Sequence, residues 1–222
     1  MDWTALWLSL RLAAWTVALL LPVAILMGRF LAYRRFRGKG LVEALVMLPL
    51  VLPPTVFGFY LLVVFGANSP LGQFWRATFG HQLVFSFEGL VVASVIFNLP
   101  FAIQPAQRGF EAIPVEVREA ARCCGLSPLE SLRKVELPLA WPGLMTAMVL
   151  TFAHTLGEFG IVLMVGGSIP GETRTIAISI YDRVQAFDDR SAGIMAAVLL
   201  AISLFTITVT YWLSARVGRR LS

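Results

Sequence analysis

Long apolar runs separated by short polar stretches organise this chain. On a window of about 19 residues, five runs stand out, at 13–32, 41–65, 89–106, 143–165 and 192–215. Each is continuous rather than alternating with period two, so each predicts a membrane-spanning helix and not a barrel strand. The third is the shortest, and Asn98, Pro100, Gln104 and Pro105 interrupt its second half. In the second run, Pro49, Pro53 and Pro54 remove backbone donors and predict a kink or break. Carbonyls freed at membrane depth are tolerated only against protein or a water-filled cavity, which places 49–55 inside the bundle.

Between the runs, 66–87 mixes turn formers with Trp75, Phe79, Phe85 and Phe87, a composition suited to the headgroup zone. The segment 166–191 opens on glycine-rich turns. Ile176, Ile180, Val184 and Phe187 then fall at helical spacing and predict a short surface helix or a partial sixth span.

Composition agrees. Of 222 residues, 58% are hydrophobic and 14% charged, with mean hydropathy +0.78; soluble domains carry roughly a quarter charged residues. A soluble enzyme, a disordered tail and a nucleic-acid module are excluded. The reading is an all-α polytopic membrane protein of about five transmembrane helices, a single domain over 1–222. A cleaved leader would need a short apolar core and an A-x-A-like site. Here the first core passes 15 residues and ends in Met27-Gly28-Arg29-Phe30, so a retained span is expected.

The net charge of +5 reports topology. Arg29, Arg34, Arg35, Arg37, Lys39, Arg108, Arg118, Arg122, Arg133, Lys134, Arg216, Arg219 and Arg220 lie on one side of the five runs. Only Arg11, Arg76, Arg174, Arg183 and Arg190 lie on the other. Positive residues stay inside, so the N-terminus is expected outside, and the C-terminus and the loop at about 107–141 in the cytosol. Trp3, Trp7, Trp15 and Trp212 suit interface anchoring or packing. Cys123 and Cys124, being adjacent, fit neither a disulfide framework nor a zinc site and are read as reduced thiols.

The cytosolic loop is long and charged. Pro114, with Glu116 and Glu119 behind it, suits a helix start; Gly125 ends that helix, and Pro128 begins a second stretch with Leu129, Leu132 and Val135 on one stripe. Leu137-Pro138 is expected to close it before the fourth span. Two short helices meeting at a glycine fit either a groove on a soluble partner or the lipid surface.

Glu119-Ala120-Ala121, three residues, Gly125, nine residues, Val135, one residue and Leu137-Pro138 resemble the EAA loop of ABC-type importer permeases, E-A-A-x3-G-x9-I-x-L-P, with Val135 in place of isoleucine. Within that superfamily the chain is similar to molybdate-type permeases. That likeness rests on Leu48-Pro49-Leu50-Val51-Leu52-Pro53-Pro54, Leu156-Gly157-Glu158-Phe159-Gly160 and Ile169-Pro170-Gly171-Glu172-Thr173-Arg174-Thr175. Sulfate permeases look similar around the Gly-Glu-aromatic-Gly segment.

The resemblance implies a type I-like importer fold in the bacterial inner membrane. It implies coupling helices around Arg118, Glu119, Ala120, Ala121, Gly125, Leu126, Ser127, Leu137 and Pro138 that seat in an ATPase subunit. It also implies an external oxyanion-binding protein, for which Glu172 and Arg174 are candidate contacts; a second permease copy is expected because five kinked spans are scant walls for a gated path, which a symmetric pair would enclose on a shared axis. ATP and Mg belong to the ATPase. This chain has no P-loop, since Gly38-Lys39 is followed by Gly40 and Tyr33 stands at the first glycine position. No catalytic, cofactor or metal residues are expected, nor any nucleic acid.

Inside the membrane, Pro53, Pro54, Asn98, Thr155, Gly157 and Glu158 are candidate path or gate residues. His154 and Glu158, at i and i+4, share a helix face; they either line the path or satisfy each other, or a neighbouring helix, as structural glue. A Cβ at Gly125 is expected to obstruct the bend there, and Gly157 and Gly160 to permit a kink or close approach. Rival readings are the same class carrying sulfate, thiosulfate or tungstate, a stand-alone secondary transporter or channel, and an intramembrane enzyme built on His154 and Glu158.

Overall fold

The computed structural model describes the backbone of residues 1–221 and the side chains of residues 1–209. Trp212, Arg216, Arg219 and Arg220 therefore lie outside the described side chains. Asp2 starts the first helix by accepting from the Ala5 N–H at 2.9 Å, and α1 (Trp3–Tyr33) continues through Pro22. Its 31 residues reach roughly 46 Å, beyond the 30 Å of a hydrocarbon core. It begins ten residues before the hydropathy run because Ala5, Leu6, Leu8 and Leu12 bury against later parts of the chain.

The second predicted span is a broken unit. α2 (Lys39–Val51) and α3 (Pro54–Phe65) meet at 108° across Leu52-Pro53, with Pro54 in the first turn of α3. Twelve or thirteen residues rise about 18–20 Å, so neither half crosses alone. The segment expected to be turn-rich contains a further helix, α4 (Pro70–Phe79). Ser69 caps it through the Gly72 N–H at 2.8 Å, and Gly80 ends it at φ +80°. The third span is also divided, into α5 (Phe87–Phe97) and α6 (Leu99–Glu111), bent by 43° at Asn98.

After α6 come α7 (Val115–Cys123), α8 (Pro128–Ser131), a π-helical turn (Leu132–Glu136) and α9 (Leu137–Gly157). Leu137-Pro138 was expected to close the second loop helix, but the helix runs on from Pro128 to Gly157. The π turn is the reason: the Leu137 N–H reaches back five residues to the Leu132 carbonyl, and Pro138 follows at a helix start where its missing N–H is tolerated. The fourth span then breaks at Glu158-Phe159 before α10 (Gly160–Gly166).

The expected surface helix exists as α11 (Ile176–Gln185), with a different face inward. Ile176, Ile178 and Ser179 are buried, whereas Val184 and Phe187 are exposed. The last helix is α12 (Asp189–Leu221).

α1, α6 and α9 pack around Leu20, Ala24, Ala102, Ala106, Phe110, Ala140 and Leu144. Small residues draw the last two together, as in many membrane bundles: a Cβ on Gly143 would lie 2.6 Å from the Pro105 carbonyl oxygen and 2.7 Å from Gly109 Cα. α3, α5 and α10 build a second cluster toward the opposite end of the molecule. Trp3, Trp7 and Trp15 stand exposed on α1, as anchors would.

Candidate functional site

Two regions carry the chemistry. The first is the elbow formed by α7 and α8. The helix ends in a paired motif: the Leu126 N–H donates to the Ala121 carbonyl at 3.2 Å and the Gly125 N–H to that of Arg122 at 2.9 Å. Gly125 sits at φ +77°, and a Cβ there would meet nothing within 4 Å. The expected obstruction is thus corrected. Backbone conformation, not space, requires glycine.

Ser127 then caps α8 reciprocally: its hydroxyl accepts from the Glu130 N–H at 3.3 Å, while the Glu130 carboxylate accepts from the Ser127 N–H at 3.1 Å. Glu119 and Ala120 face solvent, Ala121 is buried beneath them, and Val115 and Val117 at the start of α7 and Leu129 on α8 remain exposed. Leu129 therefore does not join Leu132 in an inward stripe. Leu137 and Pro138 stand apart from the tip, at the root, where Leu137 packs on the core.

Sequence reasoning missed what roots the elbow. Glu136, 3% exposed, accepts from Arg29 Nε at 2.6 Å and Nη2 at 3.0 Å, and from the Ser131 hydroxyl at 3.0 Å. Arg29 was read only as a topology determinant. A lone acid before Leu137-Pro138 was the available signal.

The second region lies where the helices break. Pro54 abuts Gly160, whose Cβ would lie 2.8 Å from Pro54 Cβ, so the discontinuities of spans two and four meet. Gly157 has open space and serves the kink instead. Asn98, fully buried at the third break, donates from Nδ2 to the Ser94 carbonyl, and its Oδ1 lies 3.0 Å from His154 Nδ1. His154 also stacks on Phe101 at 4.0 Å between centroids.

Glu158 is 4.0 Å from His154 Nε2, but its closer partner is the Ile161 N–H at 3.0 Å. It therefore stitches α9 to α10, and the pairing with His154 is secondary. Thr155 bonds within its own helix, to the Thr151 carbonyl at 2.7 Å. Asn98, His154 and Glu158 thus come together at one level, with Pro54 at the neighbouring break; Pro53 precedes it as the cap of α3.

At the opposite end from the elbow, Glu172 is exposed and lines a cavity of about 560 Å³ with Arg11, His81 and Glu88. Arg174 is instead tied down, 3.0 Å from Ser168 Oγ and 3.6 Å from Asp182.

Residues 21–222 match the family described as binding-protein-dependent transport system inner membrane component. The chain is 46% identical over 210 residues to the molybdenum transport system permease protein ModB of Azotobacter vinelandii, covering 95% of this chain and 93% of that one. It is 36% identical to the sulfate transport system permease protein CysT of Salmonella typhimurium, covering 89% of this chain and 71% of the relative. In fold it is similar to a bacterial ABC transporter involved in the import of the acidic polysaccharide alginate, with TM-score 0.72, 17% identity, and coverage of 94% of this chain and 78% of that chain.

Proposed function

The chain belongs to the family of binding-protein-dependent transport system inner membrane components, and on that premise we propose that it is the permease subunit of an ATP-driven importer for molybdate. The observation that carries the cargo is the 46% identity to the molybdenum permease across nearly the whole of both chains, against 36% for the sulfate permease. The elbow supports the mode of drive: a rigid, doubly capped turn with exposed Val115, Val117 and Leu129 suits insertion into a groove of an ATPase subunit.

In this reading the elbow faces the cytosol, the N-terminus lies outside, and ATP with Mg is bound and hydrolysed on the partner. Exposed apolar residues along α2 and α3, among them Leu45, Leu48, Phe59 and Val63, support a second permease copy across a shared path. An external binding protein would dock near Glu172. Closure of the ATPases would move the elbows and, through α9, the breaks at Glu158 and Pro54. Nucleotide must bind the outward- and inward-facing states unequally for this to work.

Reconstitution tests the reading. Proteoliposomes holding this chain, its ATPase and the binding protein should take up molybdate only with ATP, and sulfate far less. Uptake by the permease alone, driven by an ion gradient, would overturn it in favour of a secondary transporter.

A further inference from the structure

We infer that the cavity between the end of α1 and the elbow is a binding site for the phosphate of an anionic phospholipid. The cavity measures about 700 Å³, and its polar lining includes Arg29, Tyr33, Arg34, Arg118, Arg122 and Glu136. Four guanidiniums thus meet one carboxylate, and that carboxylate is already engaged by Arg29 and Ser131. The side chains of Arg34 and Arg122 have no hydrogen-bond or ion-pair partner among the described residues. Arg118 lies 3.9 Å over the Tyr33 ring, while its Nε and the Tyr33 hydroxyl are buried without a hydrogen-bond partner. Buried donors are costly to leave unpaired, and planar guanidinium forks match phosphate oxygens. An oxyanion is what this wall lacks.

One further feature selects a lipid over a free ion. Leu26 and Phe30, one turn apart on α1, line the same cavity and are 65% and 44% exposed. They offer an apolar track to an acyl chain, for which inorganic phosphate or molybdate has no use. Basic pockets at the cytoplasmic ends of helices attract anionic headgroups; the choice of leaflet rests on the proposed topology, the cavity does not. A phosphate bridging Arg34 to Arg122 would fasten the elbow to α1.

Native mass spectrometry of the purified full chain, titrated with phosphatidylglycerol, phosphatidylcholine or inorganic phosphate, tests this without any transport assay. Phosphatidylglycerol should be retained about tenfold better than phosphatidylcholine, and the Arg34→Gln/Arg122→Gln double variant should lose most of that preference. The Arg35→Gln/Arg37→Gln variant, which removes equal charge outside the cavity, should keep it, with helical circular dichroism unchanged in both. Equal loss in the two variants would overturn the site in favour of general basic attraction. Inorganic phosphate binding as well as the lipid, and at the same arginines, would overturn the lipid in favour of a free anion.

Discussion

Arg29 and Glu136 stand 107 residues apart in the chain and share two hydrogen bonds, at 2.6 and 3.0 Å, that tie the end of α1 to the root of the elbow. The pair is asymmetric: Glu136 keeps 3% of its side chain exposed and Arg29 keeps 32%. Removing the arginine strands a buried carboxylate, whereas removing the acid leaves a cation that reaches water. Arg29→Met should therefore destabilise the chain by about 3 kcal/mol, and Glu136→Gln by clearly less. Thermal unfolding in detergent measures both; equal losses would contradict the asymmetry, and no loss in either variant would show that the pair is not the anchor.

Gly125 makes a prediction in which size is irrelevant. Its φ of +77° costs any L side chain about 1–2 kcal/mol, yet the surrounding space is open. If the elbow docks on an ATPase subunit as proposed, Gly125→Ala and Gly125→Leu should weaken co-purification with that subunit to similar extents, and Gly125→Asn least. A loss graded by side-chain volume would mean that the partner's groove, rather than the turn, excludes them.

The contact of α6 with α9 behaves oppositely, because space is what it lacks. Gly143→Ala pushes a methyl to 2.6 Å from the Pro105 carbonyl oxygen and should cost about 1–3 kcal/mol. The melting temperature reads this directly, and an unchanged value would contradict the packing described.

Glu158 holds α10 through one acceptor oxygen, which an amide also provides. Glu158→Gln should keep most molybdate uptake in proteoliposomes, whereas Glu158→Ala, which leaves the Ile161 N–H unpaired, should lose most of it. Full loss in the glutamine variant would instead assign a role to the charge.

Asp188 supplies a pH test outside the spans. Its carboxyl is held below the usual aspartate range, chiefly by the Ser191 hydroxyl, then by the Ser191 backbone N–H, and further by Arg183. A lowered pKa means that this contribution is present above the ordinary aspartate pKa of about 3.9 and is lost as pH falls through the depressed value. The protection of the amides at the start of α12 against hydrogen exchange, taken relative to their intrinsic rate at each pH, should be constant from pH 8 to about 5 and fall only in stronger acid; Asp188→Asn should remove that acid response.

Much of this architecture was legible in order along the chain. Proline clusters marked the break at Leu52-Pro53, since a missing donor is a local property, and Ser69-Pro70 with Gly80 carried the signals for α4 even though the segment reads as turn. The glycine joint at 125 was legible too, but its cause was misread: whether a Cβ finds an obstruction depends on residues far away, while its φ depends only on the turn. Glu136 could not be paired from sequence, because nothing local marks Arg29 as its partner.

The amino-acid sequence determined the number and position of apolar runs, the sites of their breaks and the elbow motif, because hydropathy, proline and glycine act over a few residues. Tertiary structure alone decided that Pro54 meets Gly160, that His154 turns to Asn98, and that Arg29 holds Glu136. Those are contacts between elements, and they arise only when helices distant in sequence pack closely enough for buried polar groups to find one another.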